Sequence, residues 1–114
     1  MSRTSSAVRS AAAAPVFAAL GDATRLHLVA RLCDDGPLSI ARLSDDAAVT
    51  RQAITKHLQA LADAGLVRGT RRGRERIWEL RPKRLEMARR YLDQVSGNWD
   101  AAIERLRAFV EEEP

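Results

Sequence analysis

A single cysteine, Cys33, occurs in the 114 residues, so no intramolecular disulfide can form and no Cys-x-x-Cys metal pair exists. No apolar run approaches the roughly 20 residues that span a bilayer, and none resembles a secretory leader, so no membrane partner is expected and the cytoplasm is the expected location. There is no phosphate-binding glycine loop, no Ser/His/Asp or Cys/His set with a third member, and no paired carboxylates set apart from helix surfaces. Neither an enzyme nor a cofactor is therefore expected. His27 has no second His, Cys or carboxylate at ligand spacing and reads as an ordinary helix residue, so no metal site is assigned.

The charge is unremarkable as a total, +4, and informative when divided. Residues 1–50 carry five basic and five acidic side chains, residues 51–90 twelve and four, and residues 91–114 two and six. A basic block between a neutral and an acidic one is an electrostatic footprint for a polyanion, since each neutralised phosphate releases condensed counterions. The length is that of one domain with a modest core, which gains by burying more surface in an oligomer.

The most informative stretch is 49–67, V-T-R-Q-A-I-T-K-H-L-Q-A-L-A-D-A-G-L-V. Ile54, Leu58 and Leu61 recur at steps of four and three and predict one buried helix face, with Arg51, Gln52, Thr55, Lys56, Gln59 and Asp63 opposite. Thr50 is placed to cap the helix, and Gly65 to take the left-handed turn that ends it. The outward first turn and a half carries a guanidinium, an amide, a hydroxyl and an ammonium, the groups that read base edges and phosphates in a major groove. A solvated helix face carries the same residue types, and the helix alone does not decide between the two.

The flanking segments decide it. The first fourteen residues lack acids and are rich in Ser, Arg and Ala, as organelle transit peptides are; with only two arginines they read as a frayed tail, Ala11–Ala14 leading into a helix. Pro15 fits the first turn of a short apolar helix with Val16, Phe17 and Leu20, ending at Gly21. Asp22 caps a second helix with Leu28, Val29 and Leu32 buried; the lone Cys33 on it reads as a small core residue rather than a redox sensor. After Gly36-Pro37, Ser39 caps a third helix with Ile40 and Leu43 inward, and Ser44-Asp45-Asp46 is expected to turn. Helix, tight connection, polar-faced helix is the helix-turn-helix arrangement. Beyond Gly65, R-G-T-R-R-G-R-E-R-I-W-E-L predicts a β-hairpin turning near Arg72-Gly73, with Arg71, Arg72 and Arg74 at its tip and Trp78 and Leu80 packed inward, the indole a core or interface residue rather than a base-stacking platform. An arginine-tipped hairpin following such a helix is a wing, suited to phosphates or a narrow minor groove.

The runs L-G-D-A-T-R-L (20–26), T-K-H-L (55–58), A-G-L-V (64–67) and G-R-E-R-I-W-E-L (73–80), in that order, resemble the ArsR-type winged helix-turn-helix transcriptional regulators over about residues 15–110. The resemblance implies a homodimeric repressor that binds a partly palindromic operator in double-stranded DNA and leaves it on a signal. By position, Arg51, Gln52, Thr55 and Lys56 match the family's DNA-facing helix and Arg71, Arg72 and Arg74 its wing; Thr50 opens the same helix. His57 matches a commonly occurring histidine, for which seating the helix or touching the backbone outweighs base readout. Metal-sensing relatives carry a cysteine pair before the recognition helix, where this chain has L-S-I-A-R-L, and a second family metal site needs histidine on the last helix, where none follows His57. Metal sensing is not expected, and the effector is left unknown. A winged-helix protein-interaction module without DNA binding is the alternative; it calls for an apolar outward face on residues 50–63, which are polar and cationic.

In the last third, Leu85, Ala88, Leu92, Val95, Trp99, Ala102, Leu106 and Val110 recur mostly at steps of three and four, a seam longer than one small domain needs. With Phe17 it predicts the interface of a twofold dimer, against the alternative of a helix folded back on its own domain. Gly97-Asn98 leave open whether the helix runs on after Val95, and Glu111–Glu113 read as a solvated acidic end. The expected fold is mainly α with a small β-hairpin: a flexible tail over 1–14, a winged helix-turn-helix core over 15–82, and one or more dimerisation helices over 83–114.

Overall fold

The computed structural model describes residues 2–45 and 48–112. Among these residues five helices and a small sheet follow in the order α1 (Ser2–Leu20), α2 (Ala23–Asp35), β1 (Leu38–Ser39), α3 (Ile40–Asp45), α4 (Arg51–Asp63), β2 (Val67–Arg72), β3 (Glu75–Leu80) and α5 (Pro82–Glu112). Asp46 of the expected turn and Glu113 of the acidic end lie outside the described residues. Ser44 and Asp45 form the last turn of α3 instead of a connection, the Ser44 hydroxyl donating to the Ile40 carbonyl at 2.7 Å. Among the described residues no helix is long and apolar enough to cross a membrane.

The first helix corrects the expected tail. It begins at Ser2, so Pro15 sits inside it rather than at its first turn. Proline there forgoes one backbone hydrogen bond, to the Ala11 carbonyl. The alanines of 11–14 are the best helix formers, and Ala13, Val16 and Ala19 are buried on one side. Both effects favour continuing through the proline.

Caps set the register of the next helices. The Asp22 carboxylate accepts from Arg25 N at 3.0 Å at the start of α2. Ser39 Oγ accepts from Arg42 N at 3.2 Å on α3, and Thr50 Oγ1 from Ala53 N at 3.1 Å on α4. At the end of α4, Gly65 with φ +79 donates to the Ala62 carbonyl at 2.9 Å and Leu66 N to the Leu61 carbonyl at 2.9 Å. These are the two bonds of a Schellman motif, with Leu61 and Leu66 buried against it. Leu28, Val29, Leu32, Leu43, Ile54, Leu58 and Leu61 then converge in one core beneath the sheet. Cys33, expected inside, is exposed: it lies about 100° around α2 from Leu32, beyond the buried stripe.

The hairpin is one part of a three-stranded antiparallel sheet in the order β1-β3-β2, because Leu38 and Ser39 pair with Trp78 and Ile77. Arg72 pairs with Glu75, leaving Gly73-Arg74 as a two-residue loop. Only Gly73 has positive φ, +63, which is the type II′ pattern. Trp78 is 1% exposed, and its cross-strand partner is Gly69. A Cβ on Gly69 would lie 3.2 Å from two indole ring atoms, so the glycine is the space into which the indole fits. The Arg76 guanidinium closes the outer side, 4.7 Å from the ring centroid.

The last helix runs without a break through Gly97 for 31 residues, about 46 Å. Its first turns join the core through Ala88, with Leu85 and Met87 packed against it, and it lies along α1. The remainder projects. The extents are 71 × 32 × 20 Å and the radius of gyration is 19.1 Å, against about 13 Å for a compact domain of this length.

Gly69→Val should lower stability by about 1–3 kcal/mol through overpacking against the buried indole, read as a lower urea midpoint at unchanged slope. Asp22 generates a pH effect. The hydrogen bond from Arg25 N, with the nearby Arg25 and His57 charges, holds its carboxyl below the ordinary 3.8. A lowered folded-state pKa gives stability that is present above the unfolded value and lost as pH falls through the folded one. Asp22→Asn, which keeps the capping oxygen, should show a shallower fall of the urea midpoint below about pH 4 than the unaltered protein.

Candidate nucleic-acid interface

Burying Ile54, Leu58 and Leu61 turns the opposite stripe of α4 outward. Arg51, Gln52, Thr55, Lys56 and Gln59 are all exposed. Thr50 spends a lone pair on its cap, and the Thr55 hydroxyl donates to the Arg51 carbonyl at 3.0 Å, leaving its oxygen as an acceptor. Gln59 is engaged by Asp63 through Nε2 to Oδ1 at 3.0 Å, which sets it apart from the first turn and a half. Arg51 and Lys56 form no ion pair with any described residue. Two cations and the Gln52 amide, without partners among the described residues, on the first turns of a helix make a polar surface biased toward anions.

His57 belongs to the bracing of this helix rather than to its outer face. It is half-buried, with Nδ1 3.4 Å from a terminal guanidinium nitrogen of Arg25 and 3.8 Å from Asp22 Oδ1. Arg25 Nε in turn donates to the Ala19 carbonyl at 2.6 Å. The end of α1, the start of α2 and the middle of α4 are thus tied at one point.

The strand register divides the three predicted wing arginines. Arg71 stands directly opposite Arg76, on the face that carries Gly69 and Trp78, whereas Arg72 stands opposite Glu75 on the other face. Arg74 is in the loop between them. Like charges paired across a ladder repel, so the Arg71–Arg76 side is the one a bound anion relieves, while Glu75 offsets Arg72. Arg76 is the member missed from the sequence; alternation from Trp78 would have put it on that face. Farther from the tip, Arg68 is tied to Glu79, Nε to Oε1 at 3.1 Å.

The predicted partner surface also divides. Phe17 and Leu85 are half-buried within their own domain, Phe17 against Tyr91 with ring centroids 6.0 Å apart. Leu92, Val95, Trp99, Leu106 and Val110 are exposed, Trp99 at 67%. Ile103 and Phe109, adjoining the same stripe, are exposed with them and were not read from the spacing.

Residues 20–70 match the family of helix-turn-helix domains. The HTH-type transcriptional regulator Rv2034 of Mycobacterium tuberculosis is 35% identical over 95 residues, which cover 83% of this chain and 85% of that protein. The HTH-type transcriptional regulator YuzN of Bacillus subtilis is 41% identical over 68 residues, 54% of this chain and 74% of that protein. Among solved structures, the ArsR-like transcriptional regulator from Rhodococcus sp. RHA1 superposes with a TM-score of 0.73 at 34% identity, covering 87% of this chain and 92% of that one. The homodimeric winged helix-turn-helix DNA-binding domain Mb0332 of Mycobacterium bovis does so with 0.62 at 25% identity, covering 81% and 83%. Sequence identity and superposition agree, and the chain belongs to the ArsR family of winged helix-turn-helix transcriptional regulators.

Proposed function

We propose that the protein is a homodimeric, cytoplasmic repressor that reads a partly palindromic operator with α4 and grips the flanking backbone with its wing. One observation carries the reading: the exposed Arg51 and Lys56 at the start of α4 and the wing-tip Arg71, Arg74 and Arg76 all lack a carboxylate partner among the described residues. Arg51 and Gln52 are assigned to base edges, because a guanidinium and an amide make paired hydrogen bonds there. Lys56 is assigned to phosphate, with Thr50 and Thr55 as shorter-range backbone contacts. Arg71 and Arg74 reach the backbone or the minor groove, with Arg72 a weaker contributor. His57 acts indirectly, by holding the angle of α4.

Homodimerisation is supported by the free seam of α5 from Leu92 to Val110, which a lone chain leaves in water. It agrees with the homodimeric Mycobacterium bovis domain. A twofold dimer holds two recognition helices about one DNA turn apart, roughly 34 Å, and repression follows from occupying the operator.

Lys56→Ala should weaken binding to all duplexes alike and flatten the dependence on salt, whereas Arg51→Ala or Gln52→Ala should cost about 1–3 kcal/mol of discrimination between operator and unrelated DNA. Fluorescence anisotropy across a salt series, on the chain's own promoter region, separates the two; unchanged binding in all three variants would remove α4 from the interface. Trp99→Glu combined with Leu106→Glu should give folded monomers with weaker operator binding, checked by sedimentation equilibrium and circular dichroism.

A further inference from the structure

At the root of the wing a cleft of about 1030 Å³ opens between the first turns of α5 and the end of α4. Arg81, Lys83, Arg84 and Arg90 supply four cations to it, over a floor of Met87 and Tyr91. One carboxylate, Glu86, lines it too, and already lies 3.7 Å from both Arg89 and Arg90. Arg81, Lys83 and Arg84 pair with no described carboxylate. A volume in the range of small-molecule sites, with convergent cations over an apolar floor, fits an organic anion with an apolar body.

DNA is a poorer occupant. The cleft adjoins Gly65, about 20 Å along α4 from its N-terminal turn, and lies at the end of the hairpin opposite the Gly73-Arg74 tip. Both ends assigned to DNA point away from it. It borders the partner seam without coinciding with it: Lys83, Arg90 and Gln94 lie on the side of α5 opposite Leu92, while Tyr91, one turn before Val95, stands at the edge between the two.

The cleft also touches the recognition helix. The Arg84 side chain packs over Gly65, with Cγ 3.1 Å from the position a Cβ would occupy there. A guanidinium at that place faces the negative end of the α4 dipole. An anion in the cleft competes for it.

We propose that this cleft binds a small amphipathic organic anion, its head on Lys83 and Arg84 and its body on Met87 and Tyr91, and that occupancy draws Arg84 off the end of α4 and lowers operator affinity. The second half rests on α4 being the DNA reader; the first does not. Met1 and Met87 are the only methionines, so methyl-labelled methionine gives one resonance inside the cleft. Sodium octanoate should shift the Met87 signal saturably, while 1-octanol and inorganic phosphate, each half of the chemistry, shift it far less. Lys83→Gln with Arg84→Gln should weaken octanoate binding by about tenfold or more, and saturating octanoate should weaken operator binding of the unaltered protein several-fold. A Met87 signal that ignores octanoate, follows 1-octanol equally, survives the double substitution unchanged, or moves instead with duplex DNA overturns the site. Octanoate binding with operator affinity unchanged overturns the coupling. The Met87 titration contains no operator, so failure of the site and failure of the DNA-binding reading give different results.

Discussion

Everything in the domain depends on the burial of Ile54, Leu58 and Leu61. A 13-residue helix is marginal in water, and α4 exists because these three side chains enter a core roofed by Trp78 and walled by α2 and α3. Once they are buried, the helix has no freedom to rotate about its own axis. The Thr50 cap and the Schellman bonds at Gly65 fix where it starts and stops. The direction in which Arg51, Gln52 and Lys56 point is therefore a consequence of core packing, and no interaction made by those residues themselves is needed to aim them.

That dependence explains which parts were legible in the sequence. The buried stripe of α4, the caps at Asp22, Ser39 and Thr50, and the turn at Gly65 are local patterns, set by residues within four positions of one another. The strand β1 is not local. Leu38 and Ser39 are too few to show alternation and become a strand only by pairing with Ile77 and Trp78, almost forty residues away. Passage of α1 through Pro15 is a tertiary override of the same kind, favoured by burial of Ala13, Val16 and Ala19. The apolar neighbourhood of Cys33 suggests burial, whereas its angle on α2 exposes it. Composition gave a cluster of wing arginines but not its division, since a register can be known only after the two-residue loop is.

Gly69 and Trp78 link that register to the core. The indole needs a cross-strand neighbour without a side chain, and shifting the pairing by one residue would set Arg68 or Thr70 against it. The wing is thus keyed at its root, which leaves its tip free to carry like charges, Arg71 beside Arg76, at a local cost that an anion removes. A stable hairpin and an electrostatically uncomfortable tip are compatible because they are separated along the strands.

The long helix carries these elements into an exposed apolar seam without a hinge. The apolar side of α5 packs its own core at Ala88 and continues as the exposed seam from Leu92, and the helix is unbroken through Gly97. In the proposed dimer, the angle at which two seams cross is carried rigidly into the positions of the two DNA-reading ends. Over about 46 Å, a tilt of about 5° displaces the far end by about 4 Å, slightly more than the 3.4 Å rise of one base pair. The spacing of half-sites that such a dimer would read is consequently sensitive to small changes where α5 meets its neighbours. Arg84, seated between the first turn of α5 and the end of α4, lies at the root of that lever.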